Sequence, residues 1–219
     1  MRPVLIVFAR LPARGRVKTR LAAGIGDAAA LAFHRAALAR TLRAVARGPW
    51  RVELCVTPDA AARVRRPWNL PAGAALVPQG RGDLGARMGR ALRNRRGKAL
   101  LVGCDIPEMA SAHLRACFAL LGSHDVVFGP ATDGGFWAVG GRRGGLLGAA
   151  FARVRWSGPH ALADCRANIR HRATALGPVL RDVDSRADYI AWRRRVGRNP
   201  GAASCEPGPD ERRGRGDAG

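Results

Sequence analysis

Lysine is almost missing from this 219-residue chain: it stands only at Lys18 and Lys98, although Lys and Arg together number 38. The positive charge is therefore arginine, scattered along the sequence rather than gathered into a patch, which is the look of compositional drift. Acids are few, Asp and Glu numbering 16, and the formal net charge of +22 excludes an acidic disordered chain. Aromatics make up only 5%, so the core must be built largely from Ala, Leu and Val. No apolar run approaches the roughly 20 residues of a membrane span, and Val4 to Ala9 is too short for the apolar stretch of a signal peptide. The cysteines, at 55, 104, 117, 165 and 205, are odd in number, far apart and without a C-x-x-C pair. That excludes a disulfide miniprotein and fits free thiols in a reducing cytoplasm. A soluble cytoplasmic protein with no membrane partner is the expectation.

What is present is ordinary for one globular domain: 47% hydrophobic and 25% charged residues, enough chain to bury a real core. Residues 1–196 are expected to form that domain, and 197–219, rich in Gly, Pro and Arg, a disordered tail. Acids and arginines cancel in the tail, so the excess charge belongs to the body. It would draw polyanions in a salt-dependent way. No helix-turn-helix, zinc finger or aromatic-rich motif accompanies it, and no specific nucleic-acid partner is expected.

Short apolar runs alternate with helical spacing. Strands are expected at Pro3–Ala9, Val52–Thr57, Ala74–Gln79, Ala99–Cys104 and Asp125–Pro130, with helices at Asp27–Arg47, Leu84–Arg95 and Ser111–Leu121, capped by Asp27 and Ser111. Such alternation predicts an α/β protein with a mostly parallel sheet covered on both faces. Phe136–Gly141 follows Gly134-Gly135 and reads as a returning strand. A helix from Pro159 to about Asn168, a strand near Val179–Val183 and a helix starting at Ser185 complete the body.

Ligands of open parallel sheets bind beyond the carboxyl ends of the strands, which directs attention to four loops. The first, Ala9 to Leu21, sets Gly15 and Lys18 among Arg10, Arg14, Arg16 and Arg20. It reads as a phosphate cradle, although neither a P-loop nor a dinucleotide fingerprint is present, or as a solvated arginine-rich loop. Asp105, delivered by the apolar run Leu100–Cys104, is a candidate ligand for a hard divalent cation, with helix capping as the alternative. Asp133, in Asp-Gly-Gly, and Asp184 are further candidates, and Asp184 suits a helix N-cap equally well. In the remaining loop, Gln79 and the amides around Gly82 are placed to read a nucleobase, while Asp83 suits an N-cap better than a base contact. The five histidines show no zinc spacing, and no G-x-S-x-G elbow occurs.

In order along the chain, Ala9–Leu21, Gln79–Met88, Gly103–Pro107, Gly129–Phe136 and Asp182–Tyr189 resemble the motifs A-R-x-P-x-x-G-x-V-K-T-R-L, Q-G-x-G-D-L-G-x-R-M, G-S-D-x-P, G-P-A-x-D-G-G-[YF] and D-V-D-[TS]-x-x-D-[LY] of a bacterial family, DUF2064. That family is of the GT-A glycosyltransferase type, within the nucleotide-diphospho-sugar transferases, and some members are labelled for arsenosugar biosynthesis. The departures are Cys104 in place of Ser, Trp137 after Phe136, and Gly158 where Trp-Ser-Thr is common.

The resemblance implies a GT-A fold, a Rossmann-like α/β/α sandwich. It further implies a metal-dependent transferase, taking Mg²⁺ or Mn²⁺ on Asp105 with Asp184 or Asp133. A nucleotide sugar or nucleoside triphosphate would be the donor and a small molecule the acceptor. Lys18 and Arg20 would steady the leaving phosphates, with Ala9, Arg10 and Gly15 completing the cradle, and Asp133 would be the candidate proton acceptor. Glycosyl transfer leads, nucleotidyl transfer uses the same groups on a different bond, and a basic nucleic-acid binder without activity is the alternative of another class.

Overall fold

The computed structural model describes residues 1–64 and 68–198. Its centre is a seven-stranded sheet: β1 (Val4–Arg10), β2 (Arg51–Thr57), β3 (Ala75–Pro78), β4 (Ala99–Val102), β5 (Val126–Pro130), β6 (Phe136–Gly141) and β7 (Thr174–Leu176), in the spatial order β3-β2-β1-β4-β6-β5-β7. All neighbours are parallel except β6, which runs antiparallel between β4 and β5, as the Gly-Gly return predicts. The α/β architecture expected from the alternation is therefore present.

Among the described residues six α-helices, α1 (Thr19–Ile25), α2 (Asp27–Val45), α3 (Leu84–Arg93), α4 (Ser111–Leu120), α5 (Ala161–Asn168) and α6 (Arg186–Arg198), cover the sheet and its edge. The alternation of side chains along a strand explains the two covers. From β1, Leu5, Val7 and Ala9 pack with Leu38 and Leu42 of α2 and Leu114 of α4. Val4, Ile6 and Phe8 pack on the opposite face with Met88 and Leu92 of α3 and Cys165 of α5. A strand buried on both faces must be apolar throughout, which is why β1 and β4 were so legible. Glu53 of β2 is a buried carboxylate, and Arg95 answers it with two bonds, Nη1 to Oε1 at 2.9 Å and Nη2 to Oε2 at 2.6 Å.

A third, small core gathers Leu21 of α1, Phe33 and Ala37 of α2, Val183, and Tyr189 and Trp192 of α6. Phe33 meets Tyr189 and Trp192 edge-on, at centroid distances of 5.8 and 5.3 Å. Gly24 allows α1 and α6 to touch, because a Cβ there would lie 2.7 Å from Cβ of Arg186. The last turn of α1 is thereby held close to the start of α6.

Several boundaries differ from those read in the sequence. The stretch after Lys18 is helical, as α1, rather than a continuous loop. Asp27 and Ser111 are the first residues of α2 and α4, and the N-cap positions fall on Gly26 and Ala110. His113 Nδ1 accepts from the Ala110 amide at 3.1 Å. The strand expected at Val179–Val183 is reduced to one bridge between Leu180 and Ala131, while β7 forms earlier. Gly177-Pro178 interrupts the ladder there, because proline has no amide to donate. The expected tail, from residue 199 onward, lies outside the described residues.

Candidate active site

The chain runs from β1 outward to β2 and β3, then crosses back to place β4 on the other side of β1. This reversal of strand order opens a crevice beyond the carboxyl ends of β1 and β4. The loops that leave those two strands carry Lys18 and Asp105, and the segment before α6 adds Asp184. Together they bound a cavity of about 570 Å³, a size that suits a small-molecule ligand.

At its floor, Lys18 Nζ donates to Asp184 Oδ1 at 2.6 Å and to Asp105 Oδ2 at 3.2 Å. The Lys18 side chain is only 8% exposed, whereas those of Asp105 and Asp184 are 42% and 38% exposed. Lys18 has the left-handed conformation, φ 48°, at the N-cap of α1, and its carbonyl accepts from the Ala22 amide at 2.8 Å. Burial pulls the ammonium pKa down, but the carboxylates of Asp105 and Asp184 outweigh it and the net shift is upward. Burial likewise pushes the Asp105 carboxyl up, and Lys18 overrides it and holds it below the ordinary range.

Local structure fixes each carboxylate. Arg40 Nε donates to Pro107 O at 3.1 Å and ties the Asp105 loop to α2. Asp184 is not the helix cap. Ser185 Oγ accepts from the Asp188 amide at 3.2 Å while Asp188 Oδ2 accepts from the Ser185 amide at 2.8 Å, a reciprocal cap that leaves the Asp184 carboxylate to Lys18. Asp133 Oδ1 accepts from the Gly135 amide at 2.8 Å, and the residue lines the cavity. Arg20 Nη1 lies 4.0 Å from Asp184 Oδ2 on the exposed rim.

Asp182 is a fourth acid in this cavity, unassigned in the sequence reading. Burial, then the neighbouring carboxylates of Asp133, Asp184 and Asp105, push its pKa up to about 6. The signal was available: residues two apart in extended chain face the same side, so an Asp-x-Asp run that directs Asp184 inward directs Asp182 inward too. Among the described residues no three His, Cys, Asp or Glu side chains converge as a metal cage. The convergence of Asp105 and Asp184 on one ammonium nevertheless shows that both can face a single cation. A hard cation held by one or two carboxylates plus ligand phosphates matches that donor set.

Toward β3 the cavity is polar. Gln79 is buried, and its Nε2 donates to Cys55 O at 2.9 Å and Ala9 O at 3.3 Å while its Oε1 accepts from Arg87 Nη1 at 2.9 Å. Both ends of the amide are thus bonded inside the protein, and both Gln79 and Arg87, a residue given no role in the sequence reading, line the cavity. Asp83 caps α3, accepting from the Ala86 amide at 2.7 Å. Gly15, Gly82 and Asp83 stand outside the cavity wall, while Ala9 and Arg10 belong to it.

The opposite wall is aromatic, with Phe136, Trp137 and Trp156. Trp137 Nε1 donates to Pro178 O at 2.9 Å, and Phe136 and Trp156 lie edge to face at 6.3 Å. Arg155 grips Asp164 through Nε at 2.9 Å and Nη2 at 2.7 Å, steadying the segment that presents Trp156 and holding the Asp164 carboxyl well below the usual range. Buried His34 meets Arg10 O through Nε2 at 3.1 Å, and burial lowers its pKa. Four cysteines, 55, 104, 117 and 165, are free and buried, and burial pushes their thiols up to about 12. None is a nucleophile at neutral pH.

A profile of DUF2064, described as an uncharacterized protein conserved in bacteria, matches residues 39–158. No protein of curated function is similar in sequence. Among solved structures, a protein of Desulfovibrio desulfuricans G20 provisionally described as a nucleotide-diphospho-sugar transferase is 25% identical. That match covers 91% of this chain and 90% of that one, with a TM-score of 0.79. The 4-diphosphocytidyl-2C-methyl-D-erythritol synthase of Anaerococcus prevotii DSM 20548 shares the fold at 9% identity, with 90% and 98% of the two chains covered and a TM-score of 0.56. A CMP:2-keto-3-deoxy-manno-octonic acid synthetase complexed with CTP shares it at 12% identity, with coverage of 90% and 99% and a TM-score of 0.54. No helix among the described residues is long and apolar enough to cross a membrane.

Proposed function

The chain belongs to the DUF2064 family, and from that premise we propose that it is a cytoplasmic transferase that moves a glycosyl group from a nucleotide-diphosphate sugar to a small-molecule acceptor with Mg²⁺ or Mn²⁺. The observation that carries this reading is the convergence of Lys18, Asp105 and Asp184 at the strand-order reversal, on the floor of a cavity of about 570 Å³. The Desulfovibrio protein, similar over nine-tenths of both chains, supports the choice of donor class.

Lys18, with Arg20 at the rim, is placed to hold the donor's phosphates and to stabilise the charge that develops as the nucleoside diphosphate departs. Asp105 and Asp184 would hold the divalent cation, which when bound neutralises part of that charge. Arg87, beside Gln79, lines the end of the cavity left for the nucleoside. Asp133, which lines the cavity, is placed to take the proton of an acceptor hydroxyl as it attacks the anomeric carbon. The aromatic wall offers that acceptor an apolar face.

Nucleotidyl transfer is the second reading, favoured by the two synthetases of the same fold, one of them holding CTP. In it an acceptor phosphate attacks the α-phosphate and pyrophosphate leaves. A thermal-shift screen of nucleotide-diphosphate sugars and nucleoside triphosphates, each with and without Mn²⁺, tests the choice. Metal-dependent stabilisation by one diphosphate sugar is the expected result; a preference for a triphosphate transfers the assignment to nucleotidyl transfer, and no shift with any donor contradicts both.

A further inference from the structure

We propose that Lys18 is the resident cation of the carboxylate pair in the free protein, so that a divalent metal ion enters only together with the donor. The inference deepens the reading of this cavity as a metal- and nucleotide-binding site, and rests on it. Lys18 Nζ stands between Asp184 Oδ1 at 2.6 Å and Asp105 Oδ2 at 3.2 Å, the position from which a metal ion would bind the same two carboxylates. Lys18 is also the most deeply buried member of the trio. The backbone at its Cα is fixed by the left-handed turn into α1, so only the flexible stem can move the ammonium.

Charge decides when it moves. Five basic side chains line the cavity (Arg10, Arg16, Lys18, Arg20 and Arg87) against four carboxylates, so the formal charge of the free site is not negative and gives a metal ion no net attraction. A nucleoside diphosphate reverses that balance. Its phosphates give the ammonium a new partner, and the carboxylates that it leaves then face the cavity without a cation. Donor and metal therefore bind with positive coupling, and the coupling is reciprocal. Lys18 acts as a guard against loading by metal alone.

The test uses Mn²⁺ alone as probe, its affinity for the full-length protein read by the electron paramagnetic resonance of free Mn²⁺. Lys18→Met removes the charge and keeps the reach of the stem, and is expected to bind Mn²⁺ at least tenfold more tightly than wild type, a gain that a second change, Asp105→Asn, abolishes. Lys18→Arg, which keeps the charge, is expected to show no gain. Should the Met variant be too unstable to titrate, its thermal midpoint gives the same answer: Mn²⁺ should raise it more than it raises that of wild type. Equal or weaker Mn²⁺ binding by Lys18→Met, or a gain that survives Asp105→Asn, overturns the proposal. Because these comparisons need no nucleotide, they decide the guard role even if wild type takes up no donor, a result that would instead overturn the functional reading.

Discussion

Asp182 is the residue whose chemistry differs most from its sequence appearance. Its pKa lies at about 6 in the fold, against 3.8 for an ordinary aspartate. Between those values the folded protein holds a proton that the unfolded chain has released, so stability falls as pH rises from about 4 to about 6. Asp182→Asn is expected to remove that fall and to be more stable than wild type at pH 7, by on the order of 1–2 kcal/mol after solvent screening, with no difference below pH 4. Thermal midpoints of both proteins across pH 3.5–7, in chelator, measure it; parallel curves would show that Asp182 is not the titrating group. At this scale the sequence revealed what position along the chain dictates: Lys18 and Asp105 lie in the loops that leave β1 and β4. It could not reveal direction. Gln79, expected to face a base, lines the cavity, yet both ends of its amide are bonded within the protein, to Ala9 O, Cys55 O and Arg87.

At the scale of elements, the site depends on the contact between α1 and α6, which brings Lys18 to Asp184. Gly24 is the hinge of that argument. Alanine has the higher helix propensity, by roughly 1 kcal/mol, so Gly24→Ala would stabilise an isolated helix. Here its Cβ would sit 2.7 Å from Cβ of Arg186, and the helices must part. The variant is therefore expected to lose about 1–2 kcal/mol in a denaturant titration despite the better propensity, and to weaken donor binding. A stabilised variant with unchanged binding would contradict this role. Neither α1 nor β7 was visible in the sequence, for related reasons. Only Leu21 of α1 is buried, within a run of arginines, so no apolar period marks it. β7 has three residues, one of them buried, and ends at Gly177-Pro178, while the more apolar Val179–Val183 drew the assignment. The five long strand-forming runs were legible because parallel strands covered on both faces admit few polar residues.

For the whole molecule, the formal charge of +22 predicts behaviour that the site does not share. Binding to nucleic acid or heparin is expected to be non-specific, to fall by orders of magnitude between about 50 and 200 mM salt, and to be indifferent to Asp105→Asn. Retention of tight, sequence-selective nucleic-acid binding at high salt would make nucleic acid a partner and displace the enzyme reading. The fold is shared by a protein provisionally described as a nucleotide-diphospho-sugar transferase and by two synthetases, so the decision rests with the cluster on the cavity floor. The most direct measurement is calorimetric titration of wild type and Asp105→Asn with the best donor from the screen, each with and without Mn²⁺. Metal should strengthen donor binding to wild type at least tenfold and leave binding to Asp105→Asn unchanged. The same metal enhancement in both proteins would contradict the assignment of Asp105, and with it the account of the site.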